Sequence, residues 1–343
     1  MAEPASARPI LSVRRLRVEH PLPGAWPWSR AGAIHAVDDV HFDLRPGETL
    51  GIVGESGCGK STLARALIGL QRVTAGGIVL EGRDLARLDA AAWRPLRREI
   101  QMVFQDPYAS LDPRMTLFES VQEPLGALCP ELGEPAHRER TAQMLERVGL
   151  SADIAARYPH ELSGGQCQRA GIARALVVGP RVLICDEPVS ALDVSVQAQV
   201  LDLLRELQRE RALAMIFIAH DLAVVRQLCH RVLVMYLGRV MEQASSEELF
   251  GQPRHPYTRA LLAAVPGSGA AREPLSGELP SPANPPSGCV FRTRCPMADD
   301  LCAREVPYLR RVAERSHAAC HYVHGETAGG TPAVSRRRPV SLE

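Results

Sequence analysis

The chain reads as an α/β protein whose mainly parallel sheet is covered on both faces by helices. Three observations predict this. A short apolar strand, Thr49–Val53, enters a glycine-rich loop that opens a helix. Apolar strands alternate with helical periodicities along most of the chain. A second apolar strand over 182–185 ends in two acids, Asp186 and Glu187.

The glycine loop is Gly54-Glu55-Ser56-Gly57-Cys58-Gly59-Lys60-Ser61-Thr62, which fits G-x-x-x-x-G-K-[ST]. Glycines let backbone N–H groups turn inward, and a helix N-terminus adds positive potential where phosphates sit. Lys60 is placed to reach the outer phosphates and the Ser61 hydroxyl to ligate Mg²⁺. Of the 40 basic residues only Lys60 is a lysine. Arg is a planar fork and Lys a slim ammonium, so the one lysine marks a position that needs the slimmer group.

The elements follow in order. A strand is expected over 11–18, then a hairpin insertion over 20–33 with three prolines, two glycines, Trp26 and Trp28. A second strand follows over 36–44, and the turn at 45–48 leads into the glycine-loop strand. The helix over 61–69 places Leu63, Ala66, Leu67 and Leu70 on one side. Strands follow over 77–80 and 100–104, the latter ending at Gln105. A proline-bearing loop over 106–114 precedes a mostly helical stretch, 116–150, broken around 130–135. A helix over 163–178 is entered through Gly164 and Gly165. Helical periodicity at Val196, Val200, Leu203, Leu204 and Leu207 precedes a buried strand over 215–219. Residues 265–288 hold six prolines and four glycines, so a linker is assigned to 251–288. A four-cysteine module over 289–324 and a polar tail over 325–343, expected to be disordered, complete the chain.

A length of 343 residues, 45% hydrophobic, bounds one large or two small domains with a sizeable core. A net charge of +1 gives no bulk attraction to nucleic acid. No apolar run approaches a membrane span, and residues 1–9 have no apolar signal core. A cytoplasmic setting is therefore expected, where a cysteine cluster points to metal more than to disulfides.

Strand 182–185 delivers Asp186 beside the glycine loop to hold Mg²⁺, and Glu187 to polarise an attacking water. Leu162-Ser163-Gly164-Gly165-Gln166 resembles the signature of ATP-binding cassette (ABC) ATPases. The ordered set of glycine loop, Gln105, signature, Asp186-Glu187, Ser190-Ala191-Leu192-Asp193 and His220 resembles the whole cassette, over residues 10–250. The resemblance implies a P-loop cassette fold with a mainly parallel core, an antiparallel β subdomain and a helical subdomain over 106–178. It implies ATP and Mg²⁺ as ligands, Gln105 as sensor of γ-phosphate and Mg²⁺, Glu187 as catalytic carboxylate and His220 on the γ-phosphate. It also implies that Ser163, Gly164, Gly165 and Gln166 meet ATP held by an opposite cassette, so this chain pairs with itself or a sister cassette. Two positions depart from the pattern. His20 stands where an aromatic usually stacks on adenine, and Cys167 follows the signature where a longer polar residue is usual.

Residues 104–113 (Phe104 to Pro113) and 254–262 (Arg254 to Leu262), with the cysteine module, resemble the ATPase subunits of bacterial oligopeptide/dipeptide importers, a group that includes nickel importers. That implies two transmembrane permeases, a sister ATPase and, indirectly, an extracytoplasmic substrate-binding protein. It places the chain peripherally on the cytoplasmic face of the inner membrane, with no nucleic acid partner. Between Gln105 and Glu123, Tyr108, Leu111, Met115 and Phe118 are candidates to dock a permease helix in an apolar groove. The alternative reading is a soluble ABC ATPase acting on nucleic acid or ribosomes. Its usual two cassettes or long coiled-coil inserts are missing here.

Cys289, Cys295, Cys302 and Cys320 follow C-x5-C, C-x6-C and C-x17-C spacing in a module with few apolar residues. A metal staple would supply the stability that burial cannot. Structural zinc prefers tighter hooks, so this looser set fits a [4Fe–4S] cluster better than Zn²⁺, and the resemblance points the same way. His317 and His321 flank Cys320 and are expected to be solvated; a metal-free extension is the bland alternative.

Overall fold

A computed structural model of the chain describes residues 8–22, 32–190, 192–264 and 277–323. Trp26, Trp28, Ala191, residues 265–276 of the proline-rich stretch and the tail lie outside these residues.

Two sheets organise the fold. The first contains β1 (Leu11–Pro21), β2 (Ala33–Leu44), β4 (Ala75–Leu80) and β5 (Arg83–Asp84), ordered β2-β1-β4-β5 and antiparallel. The second is ordered β11-β12-β10-β9-β3-β8-β7-β6. Its parallel core comprises β6 (Ile100–Val103), β7 (Val182–Asp186), β8 (Ala214–Ile218), β3 (Thr49–Val53) and β9 (Arg231–Tyr236). Every residue of β3, β7 and β8 is buried. Strands covered on both faces are written as continuous apolar runs, which is why these three were visible in the sequence.

Four helices, Leu117–Leu128, Glu134–Arg147, Ala152–Ala155 and Gly164–Leu176, lie between β6 and β7 in the chain. Thr116 and Glu119 close a capping box at the first, a device that contributes about 1 kcal/mol. The helix Lys60–Leu67 buries Leu63, Ala66 and Leu67 as expected, but Leu70 is 56% exposed. The helix has ended by then, and Gly69, at φ +72°, turns the chain away.

The C-terminal region corrects the linker reading. Within 251–288 the segment Pro256–Ala263 is a helix, with Pro256 at its first position and His255 as N-cap. Nor is the cysteine module a detached extension. Its hairpin, β11 (Arg310–Ala313) and β12 (Ser316–Ala318), joins the main sheet where β12 pairs antiparallel with β10 (Arg239–Ser245). Phe291 is 1% exposed and packs against Tyr236 and Tyr257. Burial against the cassette supplies the core that the module's own composition lacks.

Candidate functional site

The glycine loop leaves the C-terminal end of β3, where open α/β sheets hold ligands. Two of its glycines are required by space. At Gly54 (φ +154°) an added Cβ would lie 2.2 Å from the Met235 carbonyl oxygen, and at Gly59 (φ +103°) 2.0 Å from that of Ala36. Lys60 follows, only 4% exposed, and its ammonium donates to the carbonyls of Gly54 (2.8 Å) and Glu55 (3.0 Å). The sole lysine is thus held against its own loop by two backbone acceptors.

Strand β7 brings the acids alongside. The Ser61 hydroxyl donates to Asp186 Oδ1 at 3.1 Å. Asp186 is 2% exposed, and burial raises its pKa against the opposing Ser61 hydrogen bond. A buried carboxylate with a hydroxyl beside it suits a divalent cation, whose charge would offset the cost of burial. Glu187 is 6% exposed and has φ +50°, a conformation that disfavours L-residues. Gln105 Nε2 donates to its Oε2 at 2.7 Å, and His220 Nε2 pairs with Oε1. Three separate strand ends thereby converge on one carboxylate that can take a proton from water.

A cavity of about 210 Å³ is lined by Ser56, Gly57, Gly59, Lys60, Ser61 and Thr62 with Gln105, Glu187 and His220. Ile34 and Ala36 of β2 close its other wall. His20 does not line it; it sits opposite Ile34 in the β1–β2 pair. The signature residues do not line it either. Ser163 caps the helix Gly164–Leu176, its hydroxyl accepting from Gln166 N–H while Gln166 Oε1 accepts from Ser163 N–H. Cys167 is fully buried with its thiol toward the Pro159 carbonyl at 3.5 Å, so a small side chain fits there.

A larger cavity of about 540 Å³ is lined by residues 109–115 with Ser120, Glu123 and Arg174. It is not the apolar groove expected: Asp112, Arg114, Glu123 and Arg174 face it, and Leu111 is buried in the core.

Sequence reasoning missed two residues at the glycine loop. The Tyr257 hydroxyl accepts from Glu55 N–H at 3.0 Å, and Arg294 grips the Glu55 carboxylate at 2.6 and 3.1 Å. The only available signal was the stretch Arg254–Leu262, which carries no chemistry on its face.

Among the four C-terminal cysteines, Cys289, Cys302 and Cys320 are buried and Cys295 partly so. Cys289 N–H donates to the Cys302 carbonyl at 2.8 Å. Burial pushes the Cys295 thiol up to about 12 and raises Cys289 and Cys302, with neighbouring cysteines adding to each. The four therefore share one neighbourhood. Among the described residues, however, no three His, Cys, Asp or Glu side chains group to hold a single metal ion. The His321 ring bonds the Glu305 carbonyl, and His317 lies on β12.

Residues 37–190 match the family described as ABC transporter, and residues 241–302 the oligopeptide/dipeptide transporter C-terminal region. The chain is 56% identical over 290 residues to the oligopeptide transport ATP-binding protein OppF of Salmonella typhimurium, covering 83% of this chain and 87% of that protein. Against OppF of Haemophilus influenzae it is 52% identical over 299 residues, covering 85% and 90%. Among solved structures it resembles the dimeric post-hydrolysis cassette MJ0796 bound to ADP and Pi (TM-score 0.62, 28% identity, 69% of this chain and 98% of that one). It also resembles cbiO1 of Clostridium perfringens, part of the ABC transporter complex cbiONQ (TM-score 0.61, 32% identity, 71% and 91%).

Proposed function

The chain belongs to the ABC transporter ATP-binding subunits that carry the oligopeptide/dipeptide C-terminal region, and from that membership we infer how its site works. It is an ATP-hydrolysing subunit that energises a peptide importer. The observation that carries the chemistry is Glu187, a buried carboxylate held by Gln105 and His220 at the mouth of the Lys60 cavity.

In our reading the glycine-loop amides and Lys60 bind the β- and γ-phosphates, Lys60 leaving the carbonyls that hold it. Ser61, Asp186 and Gln105 would hold Mg²⁺, which supplies charge neutralisation on the phosphates. Glu187 orients the attacking water and takes its proton, while His220 steadies the γ-phosphate. His20 is left with no more than an edge contact to adenine. Ser163 to Gln166 complete the site of a second cassette, the chain itself or a sister. That pair drives two permeases, which an extracytoplasmic binding protein supplies with cargo. Among the described residues no helix is long and apolar enough to cross a membrane. From its family membership we assign a peripheral position on the cytoplasmic face, the permease helix meeting the polar cavity near Asp112 and Arg114 and the exposed ring of Tyr108. The four cysteines are proposed to hold one [4Fe–4S] cluster, supported by their shared, buried neighbourhood and loose spacing. Anaerobic purification should give a brown protein with about four irons per chain; a colourless, iron-free chain would remove the cluster.

Reconstitution with its permeases in proteoliposomes tests the main reading. Peptide-loaded binding protein should stimulate ATP turnover. Turnover stimulated by nucleic acid and indifferent to peptide would overturn it.

A further inference from the structure

The glycine loop is held from outside the cassette's own motifs. Glu55 is the first variable residue of the loop, and three groups meet on it. Its N–H donates to the Tyr257 hydroxyl (3.0 Å), its carboxylate takes both arms of Arg294 (2.6 and 3.1 Å), and its carbonyl accepts from Lys60 Nζ (3.0 Å). Arg294 lies in the cysteine module and Tyr257 on the helix Pro256–Ala263, so both anchors come from the C-terminal region.

The anchors are rigid. Tyr257 is fully buried, and its ring packs on Tyr236 (4.8 Å between centroids) and Phe291 (5.2 Å). The Arg294 side chain is 7% exposed, and its guanidinium also lies 5.9 Å from the Tyr236 ring centre. A bidentate Arg–carboxylate pair fixes orientation as well as charge. A surface ion pair would contribute little, but this one is largely withdrawn from water on the arginine side and is locked by aromatic packing.

We propose that Tyr257 and Arg294 are positioning residues for nucleotide binding. By fixing Glu55 they set the loop backbone that faces the phosphates and the carbonyls against which Lys60 rests. Neither touches nucleotide; they act through Glu55. The C-terminal region thus becomes a working part of the ATP site as well as a family marker. The inference rests on the ATPase reading above and deepens it.

The test uses the full chain in its transporter complex, with Tyr257→Phe, Arg294→Gln, Arg294→Lys and the charge swap Glu55→Arg/Arg294→Glu. Tyr257→Phe keeps the packed ring and removes one hydrogen bond, so KM for MgATP should rise about fivefold. Arg294→Gln should raise it about tenfold or more. In both, kcat should stay within about twofold, because Glu187 and His220 are untouched. Arg294→Lys keeps the charge without the fork and should fall between wild type and Arg294→Gln. The swap should recover part of the loss of the Arg294→Glu single variant. Lys60, the only lysine, gives a second readout. Its rate of labelling by an amine reagent, without nucleotide, should rise in Tyr257→Phe as its carbonyl rests loosen. Unchanged KM and unchanged labelling in folded Tyr257→Phe and Arg294→Gln would overturn the inference alone. Failure of the wild-type chain to bind or hydrolyse MgATP would instead overturn the ATPase reading.

Discussion

Asp186 and Glu187 are adjacent buried acids with different surroundings, and that difference separates their roles. Asp186 has one neutral donor, Ser61, and its pKa is raised mainly by burial. Its charge is a cost to the metal-free fold, so Asp186→Asn should raise the Tm of the nucleotide- and metal-free chain by about 1–2 °C, roughly the effect of 1 kcal/mol in a chain this size. The same variant should lose Mg²⁺-dependent nucleotide binding, a trade of function for stability. Differential scanning fluorimetry with and without MgATP reads both. Glu187 has donors on both oxygens, so Glu187→Gln keeps its shape but turns one of its two acceptors into a donor. An amide cannot accept the water's proton. Turnover should fall about a hundredfold or more while MgATP binding persists; near wild-type turnover would remove Glu187 from catalysis. These residues were legible because strand ends and fixed spacings announce them. Tyr257 and Arg294 were not, because their partner Glu55 lies about 200 positions away in the chain and no local pattern encodes a contact of that range.

The C-terminal helix Pro256–Ala263 depends on one histidine. His255 is 1% exposed; its Nδ1 accepts from Tyr257 N–H at 3.0 Å, and the Ala319 backbone faces its ring. It thereby ties the helix that carries Tyr257 to the chain just before Cys320. The bond to Nδ1 requires the neutral ring, and burial, the largest cause, lowers its pKa to about 4. In the unfolded chain the ring takes a proton below about 6.5, while in the fold it stays neutral to about 4. Over that window the unfolded state binds more protons, so stability falls as pH drops. The loss should approach about 3 kcal/mol at pH 4. His255→Asn preserves a capping side chain and should flatten this part of the stability profile, as urea titrations between pH 7 and 4 would measure; an equally steep profile in the variant would assign the dependence to other groups. This helix also explains the misread linker. Proline and glycine dominate 265–288, and that signal was carried back over 251–264, where Pro256 stands at the one helical position that suits proline. The buried strands β3, β7 and β8 were legible as apolar runs. Strands β11 and β12 were not, because Arg310, Arg311 and Ser316 carry no apolar alternation, and their pairing to β10 comes from tertiary packing.

At the scale of the whole molecule the site is half built. A cavity of about 210 Å³ is smaller than the roughly 300 Å³ at which ligand pockets begin, and the capped helix Gly164–Leu176 does not contribute to it. That helix begins with a capping box in which each side chain accepts from the other residue's backbone N–H, and its N-terminus favours an anion. A cavity open on one side and an unused anion-favouring terminus on the same chain are complementary under a two-fold axis, where each copy supplies what the other lacks. If this chain pairs with itself, Lys60→Ala and Ser163→Arg should each abolish hydrolysis in the assembled transporter. The first fails at the phosphates and the second by crowding the partner's γ-phosphate. Combining the two variants in equal amounts should then restore about a quarter of wild-type turnover, since half the pairs are mixed and each mixed pair holds one intact site of two. Ser163→Arg alone should still bind MgATP in the separated chain, because its own cavity is unaltered. Recovery on mixing would assign the opposite half-site to a second copy. No recovery from two well-folded variants, with wild-type activity appearing only when a different cassette is supplied, would assign it to a sister chain.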